Sequence, residues 1–126
     1  MEANMVGWFE IPVTDMDRAR KFYEEVFDLK IQVQDLNELQ MGIFPFAEGK
    51  SGAWGALVKH PDFYHPSTSD GPLLYFSSKD VKIQADRVDR AGGKLLQPKK
   101  LISEGVGYMA LFVDSEGNRI ALHSRH

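Results

Sequence analysis

The sequence contains no cysteine among its 126 residues. Disulfide bonds, thiolate zinc sites and cysteine nucleophiles are therefore excluded. A reducing compartment requires no disulfides, so we expect a cytoplasmic protein. Residues Met1 to Asn4 lack the basic and apolar regions of a secretion signal, so we do not expect them to act as one. No apolar run approaches the roughly 20 residues that span a bilayer.

The sequence also lacks a large excess of charge of either sign. Its formal net charge is −3, and its charged and hydrophobic fractions are 26% and 43%. This balance is typical of a globular domain and gives no electrostatic reason to bind nucleic acid or an anionic membrane. The length fits one domain, so we expect residues 1–126 to form a single domain with neither of those partners.

What is present is a repeat. Ile11–Met16 ends one strand-like run and opens an amphipathic helix, and Phe76–Val81 does the same. The two capping candidates, Asp15 and Asp80, are 65 positions apart, about half of the chain. The spacing predicts two tandem modules. Their expected extents are about 5–60 and about 73–125, with a proline-rich connector over 61–72.

Each module is predicted to fold as β-α-β-β-β, which gives an α+β fold. Alternation and helical spacing predict a helix after Asp15 and another after Asp80, the second ended by Gly92 at a left-handed position. A tight turn is predicted at Asp114–Asn118. The predicted strands are Val6–Val13, Lys30–Val33, Leu39–Phe46 and Trp54–Lys59 in module one, and Leu73–Ser77, Lys94–Gln97, Gly107–Val113 and Arg119–Ser124 in module two.

Three segments resemble a known family. Glu10–Tyr23, Ala91–Lys94 and Asp114–Ile120 occur in the order and spacing of the vicinal-oxygen-chelate superfamily, which includes glyoxalase I, bleomycin-resistance proteins and extradiol dioxygenases. The resemblance covers nearly the whole chain. It implies two βαβββ modules forming a cupped mixed sheet with helices on the outer face, and a homodimer. It does not define an activity, because this fold hosts lyases, dioxygenases, epimerases and binding proteins.

The resemblance also implies where a metal would be held. Catalytic members bind a divalent ion through His, Gln or Glu on the first and last strand of each module. The corresponding positions in this sequence are Trp8, Ala56, Leu73 and Ala121. None of these side chains offers a lone pair to a divalent cation. We therefore expect no metal ligand among them and no cofactor.

The residues expected to line the cup suggest a binding site. The candidate ligand-binding residues are Trp8, Glu10, Trp54, Leu73, Tyr75, Ala121 and His123. Glu10 and His123 are also the candidate catalytic pair, since a carboxylate and an imidazole can exchange protons. Each of these residues could instead have a purely structural role. Glu10 could pair with Arg119, His123 could be a rim residue, and the two tryptophans could simply fill the cup.

The leading hypothesis is a metal-free member that binds a small aromatic or hydrophobic organic molecule in the cleft between the modules. The alternative is a glyoxalase-like lyase or isomerase that uses Glu10 and His123, or a displaced divalent metal site. The connector offers only His60 and His65 to such a site. Its Phe63–Tyr64 pair could instead close over the cup or contact a partner subunit.

Overall fold

The computed structural model describes residues 2–126 and contains two helices and eight strands. In chain order these are β1 (Trp8–Pro12), α1 (Met16–Phe27), β2 (Gln32–Leu36), β3 (Leu39–Ile43), β4 (Trp54–Lys59), β5 (Leu74–Ser77), α2 (Val81–Ala91), β6 (Lys94–Ser103), β7 (Gly107–Val113) and β8 (Arg119–Ser124). The α+β class and the two tandem βαβββ modules are confirmed.

The strands form two four-stranded mixed sheets, one from each module. The strand order is β1-β4-β3-β2 in the first sheet and β5-β8-β7-β6 in the second. In both sheets the first strand runs parallel to the last strand of its module, and the other pairs are antiparallel. The two sheets share no strand pair, so other contacts must hold the modules together.

The strand registers show that the sequence repeat is also a structural repeat. Glu10 pairs with Ala56 in the first sheet, and Tyr75 pairs with Ala121 in the second. Each member of the second pair lies 65 positions after its counterpart, which is the spacing seen between the helix-capping aspartates. Ala56 and Ala121 therefore occupy equivalent positions in the two sheets.

Both helices begin, and α2 ends, as their sequences predict. Asp15 and Asp80 have extended backbones, and their carboxylates accept hydrogen bonds from N–H groups of the first turn. Gly92 ends α2 with φ 106°, a left-handed conformation that costs glycine little. Neither helix in residues 2–126 is long and apolar enough to cross a membrane.

The core is continuous between the modules. α1 packs on β3 and β4, α2 packs on β6, β7 and β8, and the two helices contact each other. Phe22 of α1 is buried against Phe112 of β7, with ring centroids 5.9 Å apart. At the same junction Phe76 of β5 lies 5.6 Å from Phe9 of β1 and 4.9 Å from Phe27 of α1. Apolar burial across the junction favours one folding unit.

A polar junction fixes the start of α1 to module two. Glu116 accepts hydrogen bonds from the backbone N–H groups of Thr14 and Asp15, at 3.0 and 2.9 Å, and from the Arg18 guanidinium. The Asn118 side chain donates to the Pro12 carbonyl at 2.8 Å. The turn between β7 and β8 is thus both the predicted tight turn and a cap for a helix in the other module.

Five strands differ from their predicted bounds, and two of them, β1 (Trp8–Pro12) and β5 (Leu74–Ser77), are only shorter than the predicted Val6–Val13 and Leu73–Ser77. β6 extends over ten residues, whereas a strand ending at Gln97 was expected. Pro98 suggested an early end, but the pairing with β7 continues past it through register shifts. β2 begins at Gln32 and reaches Leu36, and β3 ends at Ile43 instead of Phe46. Strands β4, β7 and β8 have the predicted bounds.

Candidate functional site

The sheet faces opposite the helices carry the predicted site residues. In β1, Phe9 and Ile11 point into the core, so Trp8 and Glu10 point to the other face. Trp54 is the register partner of Trp8 on β4. By the same alternation Tyr75 lies on the outward face of β5, while Phe76 joins the core.

Trp8 and Trp54 form an aromatic cluster with Phe46. The two indoles meet edge to face with centroids 5.3 Å apart, and the Phe46 ring lies 4.9 Å from that of Trp54. Both indoles remain well exposed, at 40% for Trp8 and 38% for Trp54. The tryptophans therefore touch each other but stay accessible, which is the arrangement that a stacking surface for a flat ligand needs.

Glu10 is held by two donors. The Trp8 indole N–H donates to its Oε2 at 3.1 Å, and the Tyr64 hydroxyl donates to its Oε1 at 2.6 Å. The hydrogen bond to Glu10 raises the pKa of Tyr64. The suggested pairing of Glu10 with Arg119 was wrong, since no ion pair joins them in the described residues. A carboxylate has about four lone-pair sites, so a ligand can still bind to it.

The connector supplies a residue that the sequence analysis did not assign to the site. Tyr64 crosses from the connector to Glu10, 54 positions away in the chain. Its neighbour Phe63 is 77% exposed, and its ring centroid lies 4.9 Å from that of His60. The pair Phe63–Tyr64 was considered as a cover for the cup, and Tyr64 does reach a cup residue. Nothing local in the sequence identifies Glu10 as its partner.

A groove lies between the two modules beside Glu10. Its volume is about 540 Å³. β1 contributes Glu10 and Ile11 to its wall, β5 and the residue before it contribute Leu73 and Leu74, and β8 contributes Arg119. His65 and Asp70 of the connector also line it. This volume falls in the range of roughly 300–1,000 Å³ that is usual for small-molecule sites.

The second sheet holds the remaining predicted residues. Tyr75 is 47% exposed, and Ala121 is fully buried between strands. The His123 Nε2 atom lies 2.6 Å from the Val106 carbonyl. A carbonyl only accepts, so Nε2 is the donor in this contact. No hydrogen bond or ring contact in residues 2–126 joins His123 to Glu10.

The residues present do not fit a bound divalent metal. Trp8, Ala56, Leu73 and Ala121 occupy the expected ligand positions, and both alanines are fully buried. Within residues 2–126 no group of three or more His, Asp or Glu side chains is placed to hold an ion. In the connector, His60 uses Nδ1 to accept from the Asp62 N–H, and its Nε2 lies 3.9 Å from Glu38.

Comparisons with known proteins agree with this architecture. The family model for the Glyoxalase/Bleomycin resistance protein/Dioxygenase superfamily matches residues 5–122. The chain belongs to this superfamily. A glyoxylase-like domain-containing protein from Didymella fabae is 28% identical over 123 residues, covering 95% of this chain and 93% of that protein.

Two solved structures show what the fold resembles. TnmS3, an antibiotic binding protein from Streptomyces sp. CB03234, is 26% identical with a TM-score of 0.70, and 98% of each chain is covered. Glyoxalase I from Zea mays is 22% identical with a TM-score of 0.74, covering 94% of this chain. Only 45% of the maize chain is covered, so this chain spans less than half of it.

Proposed function

We propose that this chain binds a small aromatic or hydrophobic organic molecule in the groove between its modules without a metal ion. The observation that carries the proposal is the groove of about 540 Å³ with Glu10 in its wall. Its apolar residues bury the ligand's rings, and Glu10 accepts a hydrogen bond from a ligand N–H or O–H. Of the expected ligand-binding residues, Glu10 and Leu73 line this groove, whereas Trp8, Trp54, Tyr75, Ala121 and His123 do not.

The fixed position of Glu10 supports this role. Trp8 and Tyr64 hold one carboxylate oxygen each, so the group does not have to be ordered when a ligand binds. Preorganisation of this kind reduces the entropic cost of binding. The antibiotic-binding function of TnmS3 further supports small-molecule binding on this architecture. Its similarity does not identify the ligand.

The test uses two matched probes. An aminoanthraquinone can donate an N–H to Glu10, whereas its N,N-dimethyl counterpart cannot. Trp8 donates to Glu10, so tryptophan fluorescence reports binding near this carboxylate. We expect the amino compound to bind about ten times more tightly, since a hydrogen bond to a charged group contributes roughly 1.5–3 kcal/mol. Glu10→Gln should remove most of that difference.

Glu104→Gln is the matched control, because Glu104 is exposed in the turn between β6 and β7 and does not line the groove. It should leave both affinities unchanged. Failure of both anthraquinones and of bleomycin to bind at millimolar concentration would contradict the proposal. Hemithioacetal isomerisation that Glu10→Gln abolishes would also contradict it, and would instead support the lyase or isomerase alternative.

We also propose that the protein is a cytoplasmic homodimer. The exposed aromatic residues Trp8, Trp54 and Tyr75 on the sheet faces support an interface there. The maize chain, with about twice the matched length, supports the same idea, because a second copy of this chain would supply the corresponding modules. Light scattering with size-exclusion chromatography tests the oligomeric state, and a monomer at micromolar concentration would contradict it. The absence of cysteine supports the proposed location.

A further inference from the structure

A second cavity lies near the C-terminal end of α1, where β1, β4 and β5 come together. Its volume is about 250 Å³. Six of its lining residues are aromatic, namely Phe9, Phe27, Phe44, Phe46, Trp54 and Phe76. Phe9 is the one lining residue that it shares with the groove between the modules, so the two cavities have otherwise different walls.

The aromatic walls are held in place by packing and by one hydrogen bond. Phe76 lies 5.7 Å from Phe44 and 4.9 Å from Phe27. The Trp54 indole N–H donates to the Phe44 carbonyl at 2.7 Å, which fixes the orientation of this ring. The cavity is therefore preformed, and a ligand ring entering it meets aromatic edges and faces that do not need to rearrange.

The mouth of the cavity is formed by the loop over 44–53, between β3 and β4. Gly49 and Gly52 in this loop have φ 76° and φ 101°, and Phe46 is 61% exposed at its rim. Lys50 and Ser51 supply polar atoms to the lining. Within residues 2–126 the Lys50 ammonium forms no ion pair, so its charge is available to a ligand.

We propose that this aromatic cavity binds an aryl acid of one or two rings, with the ring among the phenylalanines and the carboxylate beside Lys50. The volume of the cavity limits the size of the ligand, because an apolar cavity of roughly 150 Å³ holds benzene. Lys50 at the mouth favours a negatively charged ligand, since an ammonium binds a carboxylate better than a neutral group of the same shape. The inference is independent of ligand binding in the groove.

The experiment uses calorimetric titration of naphthoate and of the neutral naphthylmethanol. Naphthoate should bind the wild-type chain, and Lys50→Gln should weaken it about two- to fivefold, as for an exposed charge pair. Naphthylmethanol should not respond to Lys50→Gln. Phe46→Ala should weaken both probes about tenfold, because both lose contact with the same ring.

Two controls separate this cavity from the groove. Phe63→Ala removes another exposed phenylalanine, one that lies outside the cavity, and should leave both affinities unchanged. Glu10→Gln alters the groove and should also leave naphthoate binding unchanged. If naphthoate fails to bind, or if Glu10→Gln changes its affinity while Phe46→Ala does not, the inference is wrong. The second result would place the aryl acid in the groove and leave groove binding supported.

Discussion

The Tyr23 hydroxyl in α1 donates a 2.6 Å hydrogen bond to Asp114 Oδ2 in the turn between β7 and β8. Both residues are buried, and they lie 91 positions apart in the chain. Burial, reinforced by the nearby carboxylate, raises the pKa of Tyr23 well above its usual value, so the hydroxyl stays protonated. Burial also raises the pKa of Asp114, against the lowering effect of its hydrogen bonds. This buried pair is a polar link between the modules.

Tyr23→Phe should lower the free energy of unfolding by about 2 kcal/mol, since it removes a buried hydrogen bond to a carboxylate. Asp114 would keep its bonds from Glu116 and Asn118, which limits the loss. Urea denaturation measures the change. Tyr75→Phe is the control, because the Tyr75 hydroxyl is exposed and forms no hydrogen bond in residues 2–126. Equal free energies of unfolding for Tyr23→Phe and Tyr75→Phe would show that the Tyr23–Asp114 hydrogen bond does not stabilise the fold.

Glu116 should make the free energy of unfolding depend on pH in the acid range. Burial alone would raise its pKa, but hydrogen bonds from Arg18, Asp15 and Thr14 outweigh burial and lower the pKa from 4.5 to about 2. An acid with a lowered folded-state pKa stabilises the fold above its unfolded pKa. That stabilisation is lost as the pH falls from about 4.5 towards 2. The Glu116 side chain is inaccessible to solvent, and we expect a loss of about 2 kcal/mol in this window.

Denaturation of wild type and Glu116→Gln across this range tests the assignment. The variant should be less stable at neutral pH and should lose less stability on acidification. Glu104→Gln, at an exposed position, should follow the wild type. Asp114 contributes with the opposite sign, because its raised pKa favours the fold at lower pH. Parallel pH profiles for wild type and Glu116→Gln would show that Glu116 is not responsible.

Gly92→Ala should destabilise the protein by about 1 kcal/mol, since an alanine is strained at φ 106° where glycine is not. An added Cβ would meet no atom within 4 Å, so backbone strain is the only cost expected. Gly7→Ala is the matched control, as its added Cβ also meets nothing and its φ is not left-handed. Thermal denaturation of both variants should show a fall in Tm for Gly92→Ala alone.

Added Zn²⁺, Ni²⁺ or Mn²⁺ should not raise the Tm of protein purified without a histidine tag. An ion at one hundred times its Kd would stabilise the fold by about 2.7 kcal/mol, an effect that is easy to detect. The expectation follows from the four non-ligand side chains at the customary positions. A rise that disappears in the double variant His60→Ala, His65→Ala would reveal a metal site in the connector and contradict the prediction.

Local patterns in the sequence predicted most of the architecture. The repeated cap and helix around Asp15 and Asp80 depends on hydrogen bonds within one turn, so it can be read from neighbouring residues. The same holds for the tight turn at Asp114 and for strands such as β4, where side chains alternate between two faces. The length of β6 was missed, because a partner strand and its register shifts sustain it past Pro98.

The candidate site was predictable only in part. Alternation placed Trp8 and Glu10 on one face, and the family resemblance implied that two alanines stand where ligands of a metal would lie. The two donors that orient Glu10 differ in how far the sequence could predict them. Trp8 is two positions away, within reach of a local prediction, whereas Tyr64 comes from an irregular connector. No periodicity indicates where such a segment crosses a sheet.

The amino-acid sequence by itself determined the two-module plan and the helix caps, because the repeat and the capping residues can be read from residue type and spacing along the chain. Only the tertiary structure decided that Glu116 caps the helix of the other module, that Tyr64 binds Glu10, and that two cavities share Phe9 in their walls. These features join residues distant in the chain. Their geometry depends on how whole elements pack, which no local pattern encodes.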